Sequence, residues 1–328
     1  MSLNGSRNRF IDGIQELLWK QWCALGVSGH TDATTNAILD PEALIVLSSW
    51  AARYDERLYD LILSWLIVNG NTVNLQRLKA LAKKSAFTDS ASLRYMASTV
   101  AHSGGRKWGA LSDVTPSNGE PAPLFLRANG DTASFCPRRD ERALHYGFIR
   151  TPFTPRNLVV PTNITAPATT LLRLRGLCGI SARADILAVL FNGEKRTTTE
   201  LAAACGYTWK STNEALQELL SSGLVDEFRL SPRNSSYKLK DAKKISSMLS
   251  PQGCTTVNWF SLFEAIGSIW QTIGNPKLDF VSQDTIQGEI DLLVAQIRPS
   301  LVLAGFEPPS DEQQLSTFPQ RANDKYFN

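Results

Sequence analysis

The chain has 328 residues, a length that suits two or three domains. Its 43% hydrophobic and 20% charged residues are a globular composition and exclude wholesale disorder. A net charge of only +3 means that any argument about a charged partner has to rest on local clusters.

Several function classes drop out at once. The apolar stretches are far shorter than a membrane span, and Met1 to Arg9 carries no apolar signal core. Cys23, Cys136, Cys178, Cys205 and Cys254 are odd in number and scattered, with no C-x-x-C pair, so reduced structural thiols are expected. His30, His102 and His145 lie far apart, with no second ligand at helical spacing. Ser103-Gly104-Gly105-Arg106-Lys107 lacks the order of a phosphate loop, and no nucleophile elbow or dinucleotide motif is present. A cytoplasmic chain with no cofactor, metal site or membrane partner is expected, and it is not read as an enzyme.

In chain order, residues 7 to 85 read as helical, starting with the rhythm of Ile11, Ile14, Leu17, Leu18 and Cys23. Asp40 with Pro41 behind it predicts a helix start, and Leu44, Leu47 and Ala51 carry that helix to about Tyr54. Asp55 predicts another, ending at Asn69-Gly70. The next, with Leu75, Leu78 and Leu81, has a basic face of Asn74, Gln76, Arg77, Lys79, Lys83 and Lys84, which allows a second helix-turn-helix at 55–84 or a solvated scaffold face. Residues 1–102 are thus one helical unit. Residues 103–172 hold eight of the sixteen prolines and predict an extended connector that is functional or wraps other domains. Within it, Arg138, Arg139 and Arg142 form a small basic cluster.

Residues 173–250 carry the most information. An amphipathic helix over 181–192, N-capped by Ser181, turns Ile186, Leu187, Val189 and Leu190 inward. After the turn at 193–196, Thr199 can cap a short helix over Leu201 to Cys205, which Gly206 ends. Thr208 caps the next helix, which runs to about Ser221 with Ala215, Leu216, Leu219 and Leu220 on its core side, and Gly223 stops it. Residues 224–230 alternate as a strand, Pro232 to Ser235 turn, and Tyr237 to Lys240 form a second strand.

The order of these elements, with Leu201-Ala202, Gly206, Leu216, Leu219-Leu220 and the Ser222-Gly223-Leu224-Val225 junction, resembles the winged helix-turn-helix domain of bacterial transcriptional regulators of the MarR and ArsR kind. The wider pattern also resembles a group of uncharacterised bacterial helix-turn-helix proteins, through Asp40-Pro41-Glu42-Ala43, Tyr54-Asp55, Gln76-Arg77-Leu78 and Ala182-Arg183-Ala184. The implied fold class is mainly α: a winged helix-turn-helix domain with a small β-wing and flanking helical regions. The implied partner is double-stranded DNA, bound by a homodimer on a two-fold site.

In such a domain the first turn of the recognition helix meets base edges and the wing meets phosphates. The matching residues are Thr208, Trp209, Lys210, Ser211 and Asn213, then Arg229, Arg233, Asn234 and Lys238. Lys210 and Asn213 share the accessible face and are the pair expected to read bases. Trp209 and Thr212 fall three and four places before the core positions and are expected at the buried edge. Arg233 and Lys238 are the best phosphate contacts, and Arg173, Arg175 and Arg183 add basic charge. From 173 to 244 there are 12 basic against 8 acidic residues, and from 275 to 328 there are 4 against 8, which points nucleic acid to the former block. Against this, Asp226 and Glu227 would repel phosphate. The alternative is a protein-interaction module without DNA contact, such as the accessory or antitoxin-like half of a bacterial defence or toxin pair. An enzyme with an unrevealed site is a more distant third.

Residues 251–328 return to helix. Trp259, Phe260, Phe263 and Trp270 in 256–273, with the helix at 284–303, offer aromatic bulk for a dimer interface, possible alongside the N-terminal helix. From Glu307 the chain is polar and reads as a surface tail.

Overall fold

Phe10, Ile14, Leu17 and Leu18 recur at helical spacing, and all four are fully buried along α1 (Leu3–Ala24). The structure is a computed structural model that describes residues 3–29, 33–112, 119–127, 138–160, 162–231, 234–250 and 252–327. Asp40 caps α2 (Pro41–Ala51), accepting a hydrogen bond from the Ala43 amide at 3.1 Å. The run Ala43-Leu44-Ile45-Val46-Leu47 is apolar on every side, and α2 accordingly lies buried at the centre of the larger core. Asp55, Asn74 and Asp89 cap α3 (Glu56–Asn69), α4 (Leu75–Lys84) and α5 (Ser90–His102) in the same manner.

The proline-rich stretch is ordered where it is described. It holds α6 (Gly109–Ser112), β1 (Ala122–Pro123), α7 (Glu141–His145) and β2 (Phe148–Ile149), with β1 and β2 paired in parallel. It wraps the N-terminal helices: Trp108, Leu124, Phe125, Tyr146 and Phe148 are buried in their core. Arg150 reaches a buried ion pair with Asp60 at 2.7 Å, and Arg53 Nε donates to the Leu124 carbonyl at 2.8 Å.

A second, smaller core follows. Its elements are α8 (Thr170–Cys178), α9 (Ala182–Leu190), β3 (Arg196–Thr197), α10 (Thr198–Cys205), α11 (Trp209–Ser221), β4 (Val225–Ser231) and β5 (Asn234–Leu239). The three strands form an antiparallel sheet in the order β3-β5-β4. Ile186, Leu187, Leu190, Leu201, Leu216, Leu219, Val225 and Leu239 fill the space between helices and sheet. α12 (Ala242–Leu249) leads out of this unit.

The remaining helices rejoin the larger core, and two expectations are corrected there. In α13 (Trp259–Ile273), Trp259, Phe260 and Phe263 are buried against the chain itself, and Trp270 stacks on Phe10 with ring centroids 5.8 Å apart. These rings are therefore used inside the chain and do not form a free aromatic face for self-association. α14 (Gln283–Leu303) packs on α13. The segment after Glu307 is no surface tail. α15 (Glu312–Ser316) and α16 (Phe318–Phe327) pack on α1 and bury Leu315, Phe318, Ala322 and Phe327 at their apolar spacing. The fold is mainly helical with a small antiparallel sheet, and no helix among the described residues is long and apolar enough to cross a membrane.

Candidate nucleic-acid interface

Local chemistry fixes α10 and α11. Thr197, not Thr199, caps α10: its hydroxyl accepts from the Glu200 amide, and Glu200 reaches back to the Thr197 amide at 2.7 Å. This is a capping box, which only the first threonine of the run can form with a glutamate at the third helical position. Gly206 closes α10 in the left-handed region at φ +74. Thr208 then caps α11 by accepting from the Ser211 amide at 3.2 Å. Gly223, at φ +72, ends α11 in a Schellman turn: Leu224 N donates to Leu219 O at 3.2 Å and Gly223 N to Leu220 O at 2.9 Å.

The two ends of α11 differ. Thr212, Ala215, Leu216 and Leu219 are buried against α9, α10 and β4. The first turn stands in solvent: Thr208, Trp209, Lys210 and Ser211 are exposed, and Asn213 is half-buried. Trp209 is 57% exposed, which corrects its expected place at the buried edge. Side chains lean toward a helix's N-terminus, so a residue in the first turn overhangs the elements that cover later positions of the same phase. Lys210 lies 3.9 Å from Glu214, and Arg183 meets Glu218 at 3.1 Å, so the outer face beyond the first turn holds two carboxylates.

The hairpin divides the expected phosphate contacts. Asp226 pairs in register with Lys238, and Arg229 with Ser235. Alternation along a strand places Lys238 and Arg229 on opposite faces. Lys238 is half-buried beside Asp226, whereas Arg229 is exposed. The Lys195 ammonium sits 3.7 Å from the centre of the Phe228 ring and fastens the hairpin to the turn before β3. Arg233 lies outside the described residues; Asn234 opens β5.

Two basic residues expected at the surface are core. Arg175 and Arg77 are each 3% exposed and meet around Glu42, which is fully buried. Arg175 binds both Glu42 oxygens at 2.7 Å and Asp185 at 2.8 Å. Arg77 binds Glu42 at 2.7 Å and both oxygens of Asp40, and its Nε donates to the Cys205 carbonyl. The Tyr207 hydroxyl donates to Asp185 and accepts from the Asn74 amide nitrogen at 2.8 Å. Burial opposes the charges on Arg77 and Arg175, but Asp40 and Glu42 outweigh it and hold both guanidinium pKa values up. Burial, with Asp185 beside it, pushes the Tyr207 phenol up as well. This network pins the α10–α11 turn to α2 and α4. Sequence reasoning missed it, although its signal is present: Glu42, Asp185 and Arg175 interrupt apolar helical runs with opposite charges.

The basic face expected on 74–84 is correspondingly smaller. Asn74 and Arg77 are tied into the network, and Leu81 packs under Gly206. In the first turn of α4 Arg77 is buried and Asn74 half-buried, while Gln76, and further along Lys79, Lys83 and Lys84, remain exposed. Among the described residues no group of three or more His, Cys, Asp or Glu is arranged to hold a metal ion.

Comparison with protein-family models, with curated proteins and with solved structures finds no match to this chain.

Proposed function

We propose that the chain is a DNA-binding transcriptional regulator of the winged helix-turn-helix kind, with α11 as recognition helix and the β4–β5 hairpin as wing. The observation that carries this reading is the asymmetry of α11. Thr212, Ala215, Leu216 and Leu219 fasten it, while Trp209, Lys210 and Ser211 project from its first turn. A helix that reads a major groove needs that combination, a fixed body and a free N-terminal turn. Lys210 then reads a guanine edge or a phosphate and Asn213 an adenine edge, while Thr208, Ser211 and Trp209 border the groove. Arg229, Lys238, Arg233 and Asn234 supply backbone contacts from the wing. In this reading two copies bind a two-fold site.

Glu214 and Glu218 on the outer face favour a second reading, a protein-interaction module of the accessory or antitoxin kind that touches no DNA.

Fluorescence anisotropy with a labelled random duplex at low salt, followed by selection of bound sequences, separates the two. The regulator reading expects a strongly salt-dependent complex. Asn213→Ala should melt like the parent, bind non-specific DNA, and lose about 1–3 kcal/mol of preference for the selected site. A parent that binds no duplex at low salt removes the regulator reading and leaves the interaction module.

A further inference from the structure

The wing is a weak source of phosphate contacts: Lys238 is half-buried opposite Asp226, and Asp226 and Glu227 are exposed on the same strand. Uncompensated positive charge beside the first turn of α11 lies on α4. α4, of sequence LQRLKALAKK, contains no acidic residue, and with Arg77 buried it presents Lys79, Lys83 and Lys84 to solvent. Lys79 and Lys83 have no ion-pair partner among the described residues.

A groove of about 410 Å³ separates this helix from the α10–α11 turn. Gln76, Ala80 and Lys84, four residues apart along α4, form one wall, and Ala203, Thr208 and Ser211 line the other. The methyl groups of Ala80 and Ala203, and the lack of a side chain at Gly206, keep it open. Its walls are tied together. Arg77 is bound to the Cys205 carbonyl, Asn74 is bound to Tyr207, and a Cβ on Gly206 would stand 2.5 Å from Leu81 Cδ2. Lys84 also lies over the Phe260 ring at 5.4 Å, which anchors its stem at the groove edge.

We infer that α4 forms the second half of the nucleic-acid surface, Lys79 and Lys83 on its outer side binding backbone phosphates of the duplex whose bases meet the first turn of α11. The inference rests on the proposed DNA reading. It assigns the sequence-independent part of affinity to a helix of the N-terminal region, held at a fixed offset by the buried ion network.

The test is the double variant Lys79→Ala/Lys83→Ala in the full chain. Both side chains are exposed, so its melting temperature should equal the parent's. Titration of a duplex across salt concentrations should show a slope of log affinity against log salt smaller by about two units, at roughly 0.9 for each phosphate that a lysine no longer neutralises. Raising salt from 50 to 200 mM should then cost the variant about twelvefold less affinity than it costs the parent. Affinity should fall equally on selected and random duplexes, because phosphates carry no sequence. A parent-like salt slope in the double variant, with the parent still binding DNA, overturns the assignment to α4 and spares the regulator reading. Loss of site preference at an unchanged slope also overturns it. A parent that binds no duplex overturns both.

Discussion

Thr212 and Trp209 are three residues apart on α11, share a helical phase, and have opposite fates. Thr212 is fully buried, and its hydroxyl donates to the Thr208 carbonyl at 3.0 Å, whereas Trp209 is 57% exposed. Trp209→Ala should therefore melt within about 0.5 kcal/mol of the parent, as surface substitutions do. Thr212→Ala should cost about 1–3 kcal/mol, through the missing methyl group and hydrogen bond. Thermal denaturation of the two variants checks this. A destabilised Trp209 variant beside a parent-like Thr212 variant would mean that α11 is rotated from the orientation described. Asp40 offers a test by acid. Burial opposes its charge, but the Arg77 guanidinium outweighs burial and holds the carboxyl below the ordinary aspartate value. A carboxyl with a lowered folded pKa gives stability that is complete above the unfolded value, about 3.9, and is lost as pH falls through the folded value. The parent's melting temperature should thus drop steeply below about pH 4. Asp40→Asn keeps the helix cap but has no proton to take up, so its acid limb should be shallower. An identical acid limb in both proteins would count against the Asp40–Arg77 pair.

Elements whose ends are set by local chemistry were legible in the sequence. Thr208 and Gly206 frame α11 and close α10 as their residue types require, because a cap needs only its own first turn and a left-handed turn needs only a glycine. The Thr197-Thr198-Thr199 run held three possible caps, and the position of Glu200 was the deciding feature. Arg77 and Arg175 were not legible as core, because a charged side chain is buried only where distant partners meet it. Glu42 lies 133 positions from Arg175 in the chain. The Gly206 turn shows how far such distant packing reaches. Gly206→Ala should cost about 1–2 kcal/mol for the left-handed backbone and a further 1–3 kcal/mol for the collision with Leu81. Gly223→Ala has a similar positive φ but nothing within 4 Å of the added Cβ, so only the backbone cost of about 1–2 kcal/mol is expected. Denaturant midpoints of the two variants isolate the effect of Leu81. Equal losses would show that α4 is not pressed against the turn.

At the scale of the whole molecule the described residues gather into two hydrophobic cores. The proline-rich segment and the C-terminal helices both join the N-terminal core, which composition alone could not indicate, since extended backbone is as able as helix to lay Leu124, Phe125 and Phe148 on a surface. The unit from α8 to β5 has its own core, and Glu42 lies at the junction, bound by Arg77 from one side and Arg175 from the other. Four hydrogen bonds converge on this carboxylate: one from Arg77, two from Arg175 and one from the Asn74 amide. Glu42→Gln keeps its shape but removes the charge, and it turns an amide donor toward guanidinium groups. Breaking a buried pair in this way costs about 3–5 kcal/mol. Arg77 and Arg175 keep Asp40 and Asp185, so each unit retains its own partners and the loss should fall on the junction. Amide hydrogen exchange reads this directly, because opening energies are local. In Glu42→Gln, amides of α9 to α11 should exchange faster, while those of α1 and α3 keep the parent's protection. Equal loss of protection in both cores would place Glu42 in the folding of the N-terminal helices themselves. If the junction gives way as expected, α4 also loses its fixed offset from α11, and the variant's salt-dependent affinity for duplex should fall while Lys79, Lys83 and Lys210 all remain in place.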